Sequence, residues 1–164
     1  MNREDTVRVT LLVVGRPAPL LAGAIAEYER RAARYWPLEV VEVREEKARK
    51  GLPLERVRAA EAERLRERVP AGAEAVALTR SGEPWSSTRL ARYLEALALH
   101  GRAGAAFVVG GAYGLAEELI AGADQRLSLS GLTLPHELAR LFLAEQLYRA
   151  GTIVRGEPYH KAME

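Results

Sequence analysis

The chain has 164 residues, of which 48% are hydrophobic and 28% charged, enough apolar material for a buried core; its net charge of +2 argues for no particular partner. It holds no cysteine, which excludes disulfides, thiolate nucleophiles and Cys-based metal sites. No window approaches roughly 18 uninterrupted apolar residues, so no transmembrane helix and no membrane partner are expected. His100, His136 and His160 lie too far apart for metal-ligand spacing, so no metal is expected either.

The first residues carry Glu4 and Asp5 ahead of a strand-like run, which is not a signal-peptide pattern, and the expected location is cytoplasmic. Arg8 to Val14 reads as a buried strand closed by Gly15. The loop through Pro17 and Pro19 leads to a helix from Leu20 to Tyr35, which Pro37 bars from continuing. Leu38 to Val43 is a second strand, followed by a charged loop and a helix from Leu54 to Val69. Glu74 to Thr79 is a short strand that breaks into a turn from Arg80 to Trp85. Ser86, Ser87 or Thr88 can cap the next helix, which runs to about His100. Ala105 to Val109 is the fourth strand, Leu115 to Ala121 a short helix, and Arg126 to Leu129 the fifth strand. Pro135 suits the first turn of a long amphipathic helix. The tail, Thr152 to Glu164, holds Arg155, Tyr159 and His160; disorder is the default for a terminus.

Strands alternate with helices throughout, which is the α/β class: a mainly parallel sheet with helices on both faces. One domain spanning 1–164 is expected, because no linker, repeat or low-complexity run interrupts it. In such sheets ligands sit at the carboxyl ends of the strands, and the loops after Leu78, Val109 and Leu129 all lie there.

Three stretches carry chemistry. Gly110-Gly111-Ala112-Tyr113-Gly114 is neither the dinucleotide fingerprint nor a phosphate-binding P-loop; its plain reading is a tight strand-to-helix turn. Ser128 to His136 places small and hydroxyl residues in a pre-helical loop, where backbone groups can bracket an adenine or a carboxylate between walls of Leu129, Leu132 and Leu134. His136, at the helix start, is disfavoured as an imidazolium by the helix dipole and can also be a capping residue. Arg140, one turn on, can meet a phosphate or pair with Glu137. Glu145 and Arg149 stand at i,i+4, the spacing of an ordinary helical ion pair. Trp85 reads as a lid on the core or as a base-stacking platform. Between Arg44 and Arg68, cations crowd among glutamates; this is a solvated helix with ion pairs, or a nucleic-acid contact through a few arginines.

Taken together, Val109-Gly110-Gly111-Ala112-Tyr113-Gly114, then Ser128-Leu129-Ser130-Gly131-Leu132-Thr133-Leu134-Pro135-His136, then Glu145-Gln146-Leu147-Tyr148-Arg149-Ala150, then Gly156-Glu157-Pro158-Tyr159-His160-Lys161 resemble the ribosomal RNA large-subunit methyltransferase H family, the YbeA-like SPOUT methyltransferases. The resemblance covers nearly the whole chain from about Val7 and leaves residues 1–6 as a short N-terminal extension. It implies a C-terminal trefoil knot, a homodimer, and S-adenosyl-L-methionine as cofactor. It also implies methylation of N3 of a pseudouridine (1915 in rRNA numbering) in 23S rRNA on the assembled ribosome. Carried over by position, the cofactor contacts are Leu78, Gly110, Leu129, Ser130, Gly131, Leu132, Thr133 and Leu134. His160, Tyr159, Arg149 and Glu145 form the catalytic group; His136, Arg140 and Arg155 are expected at the RNA. Gly131 and Gly151 stand where relatives often carry larger residues. Two rivals remain: a non-catalytic ribosome-associated protein using the basic face of Arg16, Arg30, Arg31 and Arg44 to Lys50, and a SPOUT enzyme acting on tRNA.

Overall fold

The computed structural model describes the backbone of residues 6–163; residues 1–5 and 164, and the side chains of His160, Ala162 and Met163, lie outside the described residues. Five strands form one sheet in the order β2-β1-β4-β3-β5, with every pairing parallel. The strands are β1 (Arg8–Val14), β2 (Leu38–Val43), β3 (Ala73–Pro84), β4 (Gly104–Val108) and β5 (Gln125–Ser128). Between them run the helices α1 (Pro19–Ala32), α2 (Leu54–Arg66), α3 (Ser87–Leu99) and α4 (Glu117–Gly122). Helix α5 (His136–Val154) and a 3-10 helix (Pro158–Met163) close the chain.

Burial follows each strand's place in the sheet. Strands β1 and β4 are central and covered on both faces, so they are nearly continuous apolar runs; every residue of β4 is buried. Strand β2 is at the edge and keeps Glu39 and Glu42 exposed. One core lies between the sheet and α1, α3 and α5, around Phe107, Leu94, Leu143 and Leu147. A second lies on the other face under α2 and α4, around Leu12, Leu65 and Val108. The Trp36 indole N–H donates to the Leu147 carbonyl at 2.8 Å, fixing the exit of α1 against α5.

Strands β1 and β2 have the bounds expected from the sequence. Strand β3 does not: it continues through the segment read as a turn to Pro84. Its pairing with β5 is interrupted after Leu78 and resumes at Glu83 opposite Leu127, so the turn-forming residues form an irregularity inside the strand. The Ser86 hydroxyl accepts the Arg89 N–H and caps α3, as one of the three expected candidates. Trp85 packs on the first core with its ring 5.0 Å from that of Tyr93, the arrangement of a lid on the core.

Candidate active site

The carboxyl ends of β3, β4 and β5 open into one cavity of about 860 Å³. Leu78, Thr79 and Arg80 line it from β3, residues 109–115 from the turn after β4, and Leu127, Leu129, Ser130, Leu132, Thr133 and Leu134 from β5 and its loop. Pro135, His136 and Ala139 close it from the start of α5, and Arg58 reaches in from α2. The loops expected to bracket a ligand therefore converge, because parallel pairing brings the three strand ends to one edge.

The turn after β4 is tight. A Cβ on Gly110 would stand 2.7 Å from the Gly114 carbonyl carbon, so no larger residue fits there without moving the turn. The loop after β5 is held by its own serines: Ser128 Oγ donates to the Ser130 carbonyl, and Ser130 Oγ accepts the Leu132 N–H at 2.9 Å. The N–H groups of Gly131, Thr133 and Leu134 have no hydrogen-bond partner among the described residues. Bare donors beside leucine walls suit a flat, polar-edged ring. Among the described residues, no aspartate or glutamate lines the cavity. Of the eight positions assigned to the cofactor by resemblance, Leu78, Gly110, Leu129, Ser130, Leu132, Thr133 and Leu134 line the cavity; Gly131 sits exposed in the same loop.

The four expected catalytic residues lie elsewhere in this chain. On the second half of α5, Glu145 accepts hydrogen bonds from Arg149 at 2.6 Å and from the Tyr159 hydroxyl at 3.0 Å. The Tyr159 ring packs on Tyr148 with centroids 4.6 Å apart, and the Arg149 guanidinium lies 4.9 Å over it. Burial, then the bond to Glu145, pushes the Tyr159 phenol above its ordinary value, so it stays a proton donor. The tail is thus folded back on α5 where disorder is the default for a terminus. The side chain of His160 lies outside the described residues. Nine residues of helix, about 14 Å, separate His136 at the cavity from Glu145.

The three residues expected at the RNA divide. His136 is half-buried on the cavity wall. Arg155 is exposed and lies over the Tyr35 ring at 4.6 Å. Arg140 is only 8% exposed: its Nε donates to Glu29 at 2.7 Å and its Nη1 to Glu42 at 2.8 Å, so its guanidinium joins α5 to α1 and β2. Neither carboxylate was visible in the sequence as its partner; Glu137 instead accepts the Ala18 N–H. Glu61, one of the glutamates read from the sequence as part of a solvated helix, is buried instead. It is 4% exposed, its Oε1 accepts the Glu46 N–H, and its Oε2 faces Gly111 without a partner. Only its helical apolar neighbours Val57 and Leu65 hint that it faces inward.

The cavity lies at the carboxyl edge of an all-parallel α/β sheet, the place where such sheets bind ligands. Residues 7–160 match the family described as "Predicted SPOUT methyltransferase". The chain belongs to the SPOUT methyltransferase family. It is 54% identical over 156 residues to the ribosomal RNA large subunit methyltransferase H of Gemmatimonas aurantiaca, covering 94% of this chain and all of that one. It is 48% identical over 155 residues to the protein of the same name from Rubrobacter xylanophilus, covering 93% and 98%. The resemblance drawn from the four motifs therefore holds along the chain. Among solved structures, a probable methyltransferase from Bordetella pertussis superposes with a TM-score of 0.54 over 91% of this chain and 99% of that one. At 18% identity that likeness speaks for the fold alone.

Proposed function

We propose that this chain, as a single domain with a C-terminal trefoil knot, is a cytoplasmic S-adenosyl-L-methionine-dependent methyltransferase acting on 23S rRNA in the assembled ribosome. Its acceptor is N3 of a pseudouridine, 1915 in rRNA numbering. The observation that carries this reading is the cavity at the carboxyl ends of β3, β4 and β5, with its leucine walls and bare N–H groups. The names of the similar proteins supply the substrate class. Leu78, Gly110 and the loop Leu129–Leu134 hold the cofactor, which supplies a methyl group on a positively charged sulfur.

N3 of pseudouridine is a weakly acidic imide, and its proton must leave as the methyl arrives. His160 takes that proton, and Arg149 stabilises the anion that develops on the base. Tyr159 orients or stacks on the base, and Glu145 fixes both Arg149 and Tyr159. His136 and Arg155 face the RNA, while Arg140 serves it only through the packing of α5.

The separation of the Glu145 group from the cavity within one chain supports a homodimer that brings one protomer's tail to its partner's cavity. Leu138 and Phe142 are exposed on α5, and Leu20 on the neighbouring start of α1. These leave an apolar surface for a second copy. Replacing His160 by Ala tests the chemistry. Turnover should fall about 100-fold or more while cofactor affinity stays unchanged; equal losses of both would remove His160 from its role.

A further inference from the structure

The cationic lining of the cavity has no role in the reading above. Among the described residues, Arg58 and Arg80 are the charged side chains on its wall, beside His136, and no carboxylate lines it. Among the described residues neither arginine has an acidic partner: Arg80 donates to the Thr133 hydroxyl at 2.6 Å, and Arg58 Nε to the Tyr113 carbonyl at 2.7 Å. Arg64, Arg89, Arg140 and Arg149 each hold a carboxylate, whereas the two arginines of the cavity bond neutral oxygens. The two differ in setting. Arg80 and Thr133 are both exposed, at the mouth. Arg58 is half-buried, and its Nε bonds the turn after β4, while among the described residues neither terminal amino group has a partner. The cavity is therefore polarised: leucines and bare N–H groups on the β5 side, a fixed and unspent fork of donors on the α2 side.

We propose that Arg58 is a cofactor-binding residue that receives the carboxylate of the cofactor's amino-acid end. This rests on the reading of the cavity as the cofactor site. The carboxylate is the only anionic group of S-adenosyl-L-methionine, and a planar guanidinium held at Nε presents its amino groups to it as a pair. The adenine then falls to the apolar side, which orders the ligand end to end in the cavity.

Isothermal titration of the full-length protein with S-adenosyl-L-homocysteine and with 5′-methylthioadenosine, which lacks the amino-acid end, tests it. Arg58→Gln should weaken S-adenosyl-L-homocysteine about tenfold and leave 5′-methylthioadenosine unchanged, and Arg58→Lys should recover part of the loss. Unchanged affinity for both ligands would overturn the proposal and turn Arg58 toward the RNA. Equal weakening of both would also overturn it, as damage to the turn after β4. Failure of the unaltered protein to bind either ligand would instead remove the cofactor reading, and Arg58 with it.

Discussion

Among the described residues, Arg140 and Glu61 are the two charged side chains that are buried, and they resolve the conflict in opposite ways. Arg140 is paired on two sides, so removing it leaves the half-buried Glu29 and the exposed Glu42 without their shared partner. Arg140→Ala should cost about 3 kcal/mol in urea unfolding. A cost below about 1 kcal/mol would place the guanidinium in solvent and restore it as an RNA contact. Glu61 is unpaired at Oε2, and burial raises its carboxyl above the ordinary value; the Glu46 N–H, then Arg64 and His136, pull the other way, and Glu45 adds to the rise. Because the folded value is the higher one, stability is fully present at acidic pH. It declines as pH climbs past the ordinary carboxylate range, where the unfolded chain has already released the proton. Glu61→Gln should remove this decline. The melting temperature of the variant relative to the natural protein should rise from mildly acidic to neutral pH; a constant difference would show that Glu61 ionises as it would in water.

At the scale of elements, α5 ties the molecule together: its first turn closes the cavity, its middle crosses the core, and its last turns hold the tail. Two helical glycines, one on α5 and one on α1, separate packing from propensity. Gly151 lies directly against the Tyr35 ring, where a Cβ would overlap the ring carbons. Gly151→Ala should therefore destabilise by about 1–3 kcal/mol despite the better helix former. Gly23, on α1, has nothing within 4 Å of where its Cβ would stand, so Gly23→Ala should stabilise by about 0.5–1 kcal/mol. Calorimetry of the two variants would show the opposite signs, or would show that Tyr35 moves freely. Here the sequence was legible where one rule governs. The apolar runs of β1 and β2 set boundaries that the structure keeps, and α1 starts beside Pro19 as expected but ends at Ala32 rather than Tyr35. Legibility ended where a distant partner decides. Strand β3 outruns its turn residues because β5 is there to pair with Glu83 and Pro84. The tail folds because Tyr148 and Glu145 receive Tyr159. Arg140 points inward because Glu29 and Glu42, about a hundred residues earlier, meet it. The cavity loops were readable as a set from their small residues, whereas Arg58 looked like any arginine of a solvated helix.

For the whole molecule, the sheet order places the cavity at one edge and the Glu145 group along α5, and the exposed Leu20, Leu138 and Phe142 lie on the α1 and α5 side. Phe142→Glu should convert a sedimenting dimer to monomer and abolish turnover, while S-adenosyl-L-homocysteine still binds. A natural protein that sediments as a monomer would remove the shared site. The most direct measurement is methyl transfer from labelled S-adenosyl-L-methionine to ribosomes lacking the modification, beside free rRNA and tRNA. Label confined to 23S rRNA of assembled ribosomes, at N3 of the pseudouridine, is the expected result. Label in tRNA, or none in ribosomes despite confirmed cofactor binding, would contradict it.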